Sequence, residues 1–569
     1  MNIPKLRKRS AGLPLLLSLI ISTSLTCSGG DRTYAFPAVT QAPATPSLAI
    51  IRVDVAAKRH SISPLVYGVN FATPAQAKAL NLRINRSGGN STTRYNWKQN
   101  ATNSGNDWFF LSHPDDENHK EAAPGTSTIQ WVKGNRSLGV KSMVTIPLIG
   151  WTAKLKPDRS RLWSYSVAKY GQQQKAEPYN KDMGNGFKPD GTPLTGNNPN
   201  DANQPAPLSF EKEWVQHLVG TFGPASRGGI GYYLLDNEPA LWNSTHRDVF
   251  PKGVGMDDLF ARQHSTAAMI KSVDPTALVA GPEEWGWTGY LYSARDSEWA
   301  SKNGWDKPKP DRTAHHDRDI APWFLQQFAQ AEKKTGKRLL DVFTLHYYPQ
   351  GEKEFSDDTG EPTQLRRNRS TRSLWDKNYV DQSWIKTQVM LIPRMNQWVK
   401  TCYPGTKIGI TEYSWGAEKH ISGAIAQADV LGILGREGVD IATRWTCPVT
   451  DSPTFKAIQL YRNYDGKGGA FGDISVSSET PNPDTLASFA AQNKQTGTVT
   501  IQLINKQLHA ASRAKVSLAH FAPAGTAMAY RLTATNRIER LPNLALSGKD
   551  LSLTLPPQSI TLLVIKKRS

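Results

Sequence analysis

The sequence predicts an α/β chain: a (β/α)8 or TIM barrel followed by a C-terminal β-sandwich. Eight short apolar or β-rich runs recur before residue 450, and each ends in polar or aromatic residues. Amphipathic segments between them are typical of helices, most clearly at 210–221, 256–273, 322–335 and 425–435. Eight strands that alternate with helices close into one parallel barrel. We predict these strands at 66–71, 82–86, 142–149, 231–238, 278–285, 341–348, 407–415 and 440–447.

The last hundred residues follow a different pattern, with strands alone. Residues 498–504 alternate between apolar and polar side chains, and short runs occupy 514–518, 527–532, 551–555 and 560–565. The run 47–55 has the same character, and we expect it to add a strand to this second domain. The predicted organisation is a leader with an N-terminal strand over 36–65, a barrel over 66–468, and a β-sandwich over 469–569. Long insertions are expected after the second, third and sixth barrel strands.

The N-terminus has the features of an export signal over residues 1–35. Basic residues from Lys5 to Arg9 precede a short apolar stretch at 13–25, and Ala35 offers a cleavage site. A lipid tether at Cys27 is the less favoured alternative, because Ser24 and Thr26 are atypical before a lipidated cysteine. We expect a secreted protein with no membrane span.

The net charge of +19 raises the question of a nucleic-acid partner. The basic residues are scattered, however, and no nucleic-acid-binding motif is present, so we expect none. Two further cysteines, Cys402 and Cys447, stand before the seventh strand and after the eighth. Those points lie near opposite ends of a parallel barrel, so we predict two free thiols rather than a disulfide.

Two strand ends carry the clearest chemical signal. The fourth predicted strand ends in Asp236-Asn237-Glu238-Pro239, and the seventh contains Glu412 in a similar position. If strand alternation continues to its end, Asp236 and Glu238 share one face. A pair of carboxyl groups, one protonated and one ionised, is what cleavage of a glycosidic bond requires. Either glutamate alone would equally suit an ion pair at the barrel rim. Three further acids compete for the role and are interpreted either as structural or as supporting the site without touching the substrate: Asp236, Glu283 and Glu284.

The chain resembles glycoside hydrolase family 44, a family of endo-glucanases and xyloglucanases in a clan of retaining barrel enzymes. The resemblance is carried by Asp-Asn-Glu-Pro at 236–239, Ile-Thr-Glu-Tyr at 410–413, and segments 88–97, 104–110, 145–151, 285–287, 346–350 and 471–473. It extends over most of residues 80–475. Arg86 and Ser87, before the Gly-Gly pair, are mild departures from the expected pattern.

The resemblance implies a role for each matching residue. Glu238 is the acid/base and Glu412 the nucleophile, while Asn237 contacts the 2-hydroxyl of the sugar being cleaved. His346 or Tyr348 hydrogen-bonds Glu412, and Trp445 stacks under the same sugar. Outer subsites are expected to use about half of five further tryptophans, namely Trp97, Trp151, Trp285, Trp287 and Trp415.

The resulting hypothesis is an endo-acting, retaining β-1,4-glucanase that accepts xyloglucan and soluble cellulose derivatives. No cofactor is required, although the resemblance suggests a structural calcium ion, for which the Asn-rich surroundings of Asp201 offer oxygen ligands. We expect a monomer. The alternatives are a β-mannanase or xylanase of the same clan, a polysaccharide-binding protein on a degenerate barrel, and a nucleic-acid-associated protein suggested by charge alone.

Overall fold

The computed structural model describes residues 48–116 and 122–568. The predicted signal segment, Cys27 and the leader as far as residue 47 lie outside the described residues. No helix within the described ranges combines the length and the apolar character needed to cross a membrane.

Eight parallel strands close into a barrel, as predicted. The last strand pairs with the first, so the sheet has no free edge. Each strand falls within or beside its predicted range, although several are shorter. The strands are Gly68–Asn70, Ile84–Ser87, Lys141–Ile146, Tyr232–Leu235, Leu278–Glu284, Val342–Tyr347, Lys407–Tyr413 and Ile441–Arg444.

Helices surround the barrel and cover the outer faces of its strands. Both faces of each strand are therefore buried, which explains the continuous apolar runs such as Tyr232–Leu235. The barrel centre is filled by a separate cluster that includes Ile84, Met143, Leu234 and Val342. The covering helices are Pro74–Ala79, Thr126–Ser137, Leu208–Phe222, Met256–Val273, Ile320–Thr335, Leu391–Cys402, Ile421–Arg436 and Pro453–Arg462.

Long insertions follow the second, third and sixth strands, as predicted, and a further one follows the fifth. The unpredicted insertion contains the helices Trp287–Leu291, Ala294–Asn303 and Pro310–Ala314. The predicted insertions contain the strands Ala101–Asn103, Leu111–Pro114, Trp151–Ala153, Leu162–Trp163, Ala176–Glu177, Asn180–Gly184 and Asn203–Pro205, and the helices Val167–Tyr170 and Glu361–Ser370. All four insertions start at the carboxyl ends of strands, which is the end of a barrel where sites form.

The C-terminal region is a β-sandwich, as predicted, and the N-terminal strand Leu48–Asp54 belongs to it. That strand lies between Ile474–Glu479, to which it is antiparallel, and Ser512–Ala519, to which it is parallel. The apolar residues of these strands pack against those of Val499–Asn505 and Ser559–Lys567. The other strands are His60–Ser61, Leu486–Gln492, Pro523–Leu532, Ile538–Ala545 and Asp550–Leu555.

One helix, Ile421–Arg436, joins the two domains. Every residue from Ile421 to Gly435 is buried, because one side packs on the barrel and the other on the sandwich. Gly432 permits the contact, since a Cβ there would lie 2.2 Å from the ring of Phe489. Asp429 on this helix forms a buried ion pair with Lys506 of the sandwich at 2.7 Å. The outer layer of the barrel and one face of the sandwich therefore belong to one hydrophobic cluster, while the interior of the sandwich forms another.

Candidate active site

Arg86, at the end of the second barrel strand, is the fully buried cation at the centre of the site. Its Nη1 donates to Glu412 Oε1 at 2.7 Å and to Asn70 Oδ1 at 2.9 Å. Its Nη2 donates to Glu283 Oε2 at 2.9 Å. Burial opposes the guanidinium charge, but the two carboxylates outweigh this cost and raise the pKa of Arg86 above its ordinary value.

Glu412 lies on the seventh strand, within the range Lys407–Tyr413, and its side chain is only 5% exposed. Besides the bond from Arg86, its Oε2 accepts a hydrogen bond from the Tyr348 hydroxyl at 2.8 Å. Both carboxylate oxygens are therefore held by donors, and one donor carries a permanent positive charge. Such an environment stabilises an ionised carboxylate.

Glu238 follows the fourth strand, and its surroundings are different. The strand ends at Leu235, and the backbone then turns through positive φ at Asp236 (68°) and Glu238 (43°). The predicted alternation therefore does not hold beyond Leu235, and Asp236 points away from the site. Glu238 Oε1 lies 2.9 Å from His346 Nδ1, and its side chain is 12% exposed. Burial raises the pKa of Glu238, and His346 only partly offsets this.

His346, from the sixth strand, connects the acids of three neighbouring strands. Its Nε2 lies 3.2 Å from Glu283 Oε2, and its Nδ1 lies 3.6 Å from Glu412 Oε2. Burial lowers the pKa of His346, but the three carboxylates reverse the effect and raise it to about 9. Burial likewise opposes ionisation of Glu283, but Arg86 and His346 lower the pKa of that carboxyl to about 2.

The two central glutamates face each other closely. One oxygen of Glu238, one oxygen of Glu412 and one nitrogen of His346 all lie within 4.8 Å of one another. Glu238 and Glu412 therefore flank one small volume at the barrel mouth. One has a pKa raised by burial, and the other accepts hydrogen bonds from an arginine and a tyrosine.

Asn237 lies beside this volume. Its Oδ1 accepts hydrogen bonds from the Gly89 backbone N–H at 3.1 Å and from Arg86 Nη2 at 3.2 Å. Asp236 supports the segment from behind, because its carboxylate accepts hydrogen bonds from Thr93 Oγ1 at 2.6 Å and from the Leu148 N–H at 2.5 Å. Burial raises the pKa of Asp236 to about 6. Asp236 is therefore a structural acid, as interpreted from the sequence.

Trp445, at the end of the eighth strand, is half-buried and packs edge-on against Phe71, with ring centroids 5.8 Å apart. The Gly89 backbone lies directly against its ring, since a Cβ on Gly89 would lie 2.1 Å from the indole. Gly89 also contacts Asn237 through its N–H. The indole therefore borders the volume between the glutamates.

Two of the predicted subsite tryptophans belong to the core instead. Trp97 is only 7% exposed and stacks on Trp214, with ring centroids 5.5 Å apart. Trp415 is only 3% exposed, and its Nε1 donates to Ser370 Oγ at 2.9 Å. The prediction was wrong for both residues, because the same aromatic side chain fills a core as readily as it binds a sugar.

The other three predicted tryptophans are half-buried. Trp151 stands on the short strand Trp151–Ala153 and packs against the main core. Trp285 directly follows the fifth strand. Trp287 packs against Tyr290 and beneath Arg394. These residues retain some exposed ring surface in the insertions around the mouth.

Sequence reasoning missed the role of Arg86 and did not single out Trp108. Arg86 attracted notice only as a departure from the family pattern, whereas the contacts of Glu283 with Arg86 and His346 agree with the supporting role considered for it. Trp108 is 44% exposed and directly follows Asp107. Asp107 accepts a hydrogen bond from Asn90 at 3.0 Å, and Asn90 accepts one from Asn237. A charged residue at the end of a buried barrel strand was the available signal for Arg86 and Glu283.

Glu284 stands next to Glu283 but makes different contacts. Its Oε2 accepts a long hydrogen bond of 3.4 Å from the Ala240 N–H, and no cation neutralises it within hydrogen-bond distance in the described ranges. Burial raises the pKa of Glu284 to about 8. Burial therefore favours the protonated form of this side chain.

The surroundings of Asp201 do not fit the suggested calcium ion. Its carboxylate accepts hydrogen bonds from Lys169 Nζ at 2.6 and 2.8 Å and from the Tyr170 hydroxyl at 2.5 Å. An ammonium group already occupies the position that a cation would need. Cys402 and Cys447 are free thiols, as predicted, and burial raises the pKa of Cys447 to about 12.

Hydrolysis of a glycosidic bond requires two facing carboxyl groups in different environments, and the barrel mouth provides them. Fold and site together define a glycoside hydrolase. The sequence profile described as glycoside hydrolase family 44 matches residues 101–351. Endoglucanase A of Paenibacillus lautus is 31% identical over 577 residues, which cover 98% of this chain and 77% of that protein. The chain belongs to glycoside hydrolase family 44.

Solved structures of the same kind superpose over nearly the whole chain. CelM2, a bifunctional glucanase-xylanase from a metagenome library, is 50% identical with a TM-score of 0.89, and the match covers 92% of this chain and 99% of that one. A family 44 xyloglucanase from Paenibacillus polymyxa is 29% identical with a TM-score of 0.75, over 91% and 100% of the two chains.

Proposed function

We propose that this glycoside hydrolase is a secreted, endo-acting enzyme that cleaves β-1,4-glucosidic bonds with retention of configuration. Xyloglucan and soluble cellulose derivatives are the proposed substrates. The observation that carries the mechanism is the separation of at most 4.8 Å between an oxygen of Glu238 and an oxygen of Glu412. Retaining enzymes hold their carboxyl groups about 5–5.5 Å apart, whereas inverting enzymes need about 6.5–9.5 Å to admit a water.

In the first step, the Glu238 carboxyl gives its proton to the glycosidic oxygen as the bond to the anomeric carbon breaks. Glu412 attacks that carbon and forms a covalent glycosyl-enzyme. The raised pKa of Glu238 suits the proton donor, and the donors from Arg86 and Tyr348 suit a carboxylate that must stay charged until it attacks.

In the second step, Glu238 takes a proton from water, and that water attacks the anomeric carbon and releases Glu412. The Glu412 charge is one of the factors that raise the pKa of Glu238. Since the covalent bond removes that charge, the pKa of Glu238 falls when the residue must act as a base. Glu238 can therefore act first as the acid and then as the base, and no further residue is needed to change its role.

The insertions around the mouth and the partly exposed Trp108, Trp285 and Trp445 favour an open groove along a polymer. The names of Endoglucanase A and of the Paenibacillus polymyxa xyloglucanase support a glucan backbone. The export signal predicted at residues 1–35 agrees with a polymeric substrate outside the cell. Mass spectrometry of the exported protein will show whether the chain starts at Phe36 or carries lipid on Cys27.

The decisive experiment combines stereochemistry with a polymer panel. ¹H NMR of the first product formed from a cello-oligosaccharide should show the β-anomer before mutarotation. Viscosity of xyloglucan and carboxymethyl cellulose should fall early, before many reducing ends appear, as expected for internal cleavage. An initial α-anomer would overturn the retaining mechanism, and slow viscosity loss would overturn endo action.

A second candidate activity is cleavage of xylan, favoured by the glucanase-xylanase CelM2 at 50% identity. The same panel with xylan separates the two, and mannan serves as the test of the mannanase alternative. We also propose a monomer without a required cofactor. Light scattering after size exclusion tests the monomer, and unchanged activity after chelation tests the absence of a required metal.

A further inference from the structure

Glu283 is a buried carboxylate that does not reach the volume between the two central glutamates. Its side chain is 0% exposed, so it cannot contact a sugar. Its Oε2 nevertheless accepts from Arg86 Nη2 at 2.9 Å and lies 3.2 Å from His346 Nε2. One oxygen therefore contacts both Arg86, which reaches Glu412, and His346, which reaches Glu238.

The protonation state of His346 decides which oxygen of Glu238 carries the carboxyl proton. An ionised Glu283 can only accept, and the two hydrogens of Arg86 Nη2 go to the nearer oxygens of Glu283 and Asn237, so His346 Nε2 carries a hydrogen towards Glu283. If the ring is neutral, Nδ1 is an acceptor, and a protonated Glu238 would donate its hydrogen from Oε1 to His346. If the ring is charged, Nδ1 donates to Glu238 Oε1, and the carboxyl proton sits on Oε2. Only the second arrangement leaves the proton free for the glycosidic oxygen.

We infer that Glu283 is a positioning residue that holds His346 as an imidazolium, so that the proton of Glu238 remains on Oε2 and is directed to the leaving group. This inference rests on the proposed role of Glu238 as the acid. His346 keeps both of its protons throughout the reaction. The proton that leaves Glu238 Oε2 for the glycosidic oxygen is replaced from water in the second step, so the cycle balances.

The charges that face His346 agree with this assignment. Glu283, Glu238 and Glu412 approach from the fifth, fourth and seventh strands, and Arg86 Nη2 lies 3.4 Å from Nε2. Tyr290 donates its hydroxyl to the His346 carbonyl. With Glu238 protonated, two carboxylates balance Arg86 and His346. The pKa of His346, raised to about 9, is the expected consequence.

The Glu283→Gln variant tests the inference, since it removes the charge and keeps the size. One positive charge then becomes unbalanced in a dry site, and His346 loses its proton because an arginine retains its own. We expect kcat on xyloglucan to fall by about 10²-fold, the lower end of what general acid catalysis contributes. A dinitrophenyl cellobioside, whose leaving group needs no proton, should lose far less in its glycosylation rate.

The matched control is Glu284→Gln, at the neighbouring position. Burial favours the protonated, uncharged form of Glu284, so glutamine at this position changes little in charge. We expect kcat on both substrates to change less than about twofold. Equal losses on both substrates in the Glu283→Gln variant would indicate a structural role only and would overturn the inference.

¹⁵N NMR of the His346 ring in the wild-type enzyme provides a readout that does not depend on a variant folding. Both ring nitrogens should carry hydrogen through pH 8, and Glu283→Gln should move this titration to lower pH. A neutral ring at pH 7 in the wild type would overturn the inference. If the wild type inverts configuration or fails to cleave glucans, the proposed function fails instead, whatever the NMR shows.

Discussion

The two sides of the barrel mouth place the same side chain in different surroundings. On the side of the seventh strand, Glu412 receives hydrogen bonds from a permanent cation and a hydroxyl, and its side chain is 5% exposed. On the side of the fourth strand, Glu238 meets an imidazole and is 12% exposed. Under the proposed mechanism, the neighbouring donors, rather than the carboxyl group itself, assign one glutamate to charge and the other to proton transfer.

The largest expected effect comes from Glu412→Ala. Without the attacking carboxylate no covalent intermediate forms, and kcat on xyloglucan should fall by about 10⁴-fold or more. Added azide should restore turnover of an aryl cellobioside, with the opposite anomeric configuration in the product. The prediction fails if the variant keeps near-normal rates on the polymer.

Glu238→Ala should have a smaller and more selective effect. Loss of general acid catalysis lowers kcat on the polymer by about 10²- to 10⁴-fold. The glycosylation rate of a dinitrophenyl cellobioside should remain close to normal, because its leaving group departs without a proton. Azide should here give a product of retained configuration. Inverted products from this variant would show that the two roles are exchanged.

Tyr348→Phe removes the hydroxyl that donates to Glu412 and leaves Arg86 in place. A hydrogen bond to a charged group contributes about 1.5–3 kcal/mol, so we expect kcat to fall by about 10- to 100-fold. The matched control is Tyr347→Phe, whose hydroxyl contacts neither glutamate. If kcat for Tyr348→Phe equals kcat for Tyr347→Phe, then Arg86 alone stabilises the charge of Glu412.

The smallest effect is expected at Glu211, a buried carboxyl that has neither a cation nor a hydrogen-bond donor beside it among the described residues. Neither of its side-chain oxygens has a hydrogen-bond partner among the described residues, and burial raises its pKa well above 4.5. The folded group stays protonated while the unfolded one ionises, so folding stability falls as pH rises above about 4.5, by about 1.4 kcal/mol per pH unit. The loss stops at the folded pKa.

Glu211→Gln removes this dependence and leaves the catalytic residues untouched. Its melting temperature should therefore exceed that of the wild type at pH 8, and the gap should shrink towards pH 4.5. Calorimetry at three pH values measures the difference, and kcat is expected to be unchanged. A constant gap across pH would show that Glu211 is ionised in the folded protein.

The barrel could be predicted from the sequence more completely than the site. Runs such as Tyr232–Leu235 are apolar on both faces, so all eight barrel strands could be predicted. The sandwich strand Leu486–Gln492 was missed because it is rich in Ala and is buried on both faces, which removes alternation. Ile538–Ala545 was missed because it is largely exposed and contains Pro542.

Glu238 and Glu412 could be found from the sequence because each follows an apolar run within a family motif. The roles of Arg86 and Glu283 depend on contacts between strands that are far apart in the chain, and a single sequence does not contain that information. Trp97 and Trp415 show the opposite error. Each stands beside a motif, yet each indole found its partners in the core.

The position of the strand Leu48–Asp54 within the sandwich determines how the barrel and the sandwich can be separated. Because this strand lies between Ile474–Glu479 and Ser512–Ala519, the barrel is an insert within the sandwich. A truncation after residue 468 would strip this strand of its neighbours and would uncover the sandwich-facing side of the helix Ile421–Arg436. The two domains are therefore not modules that can be exchanged by cutting at one linker.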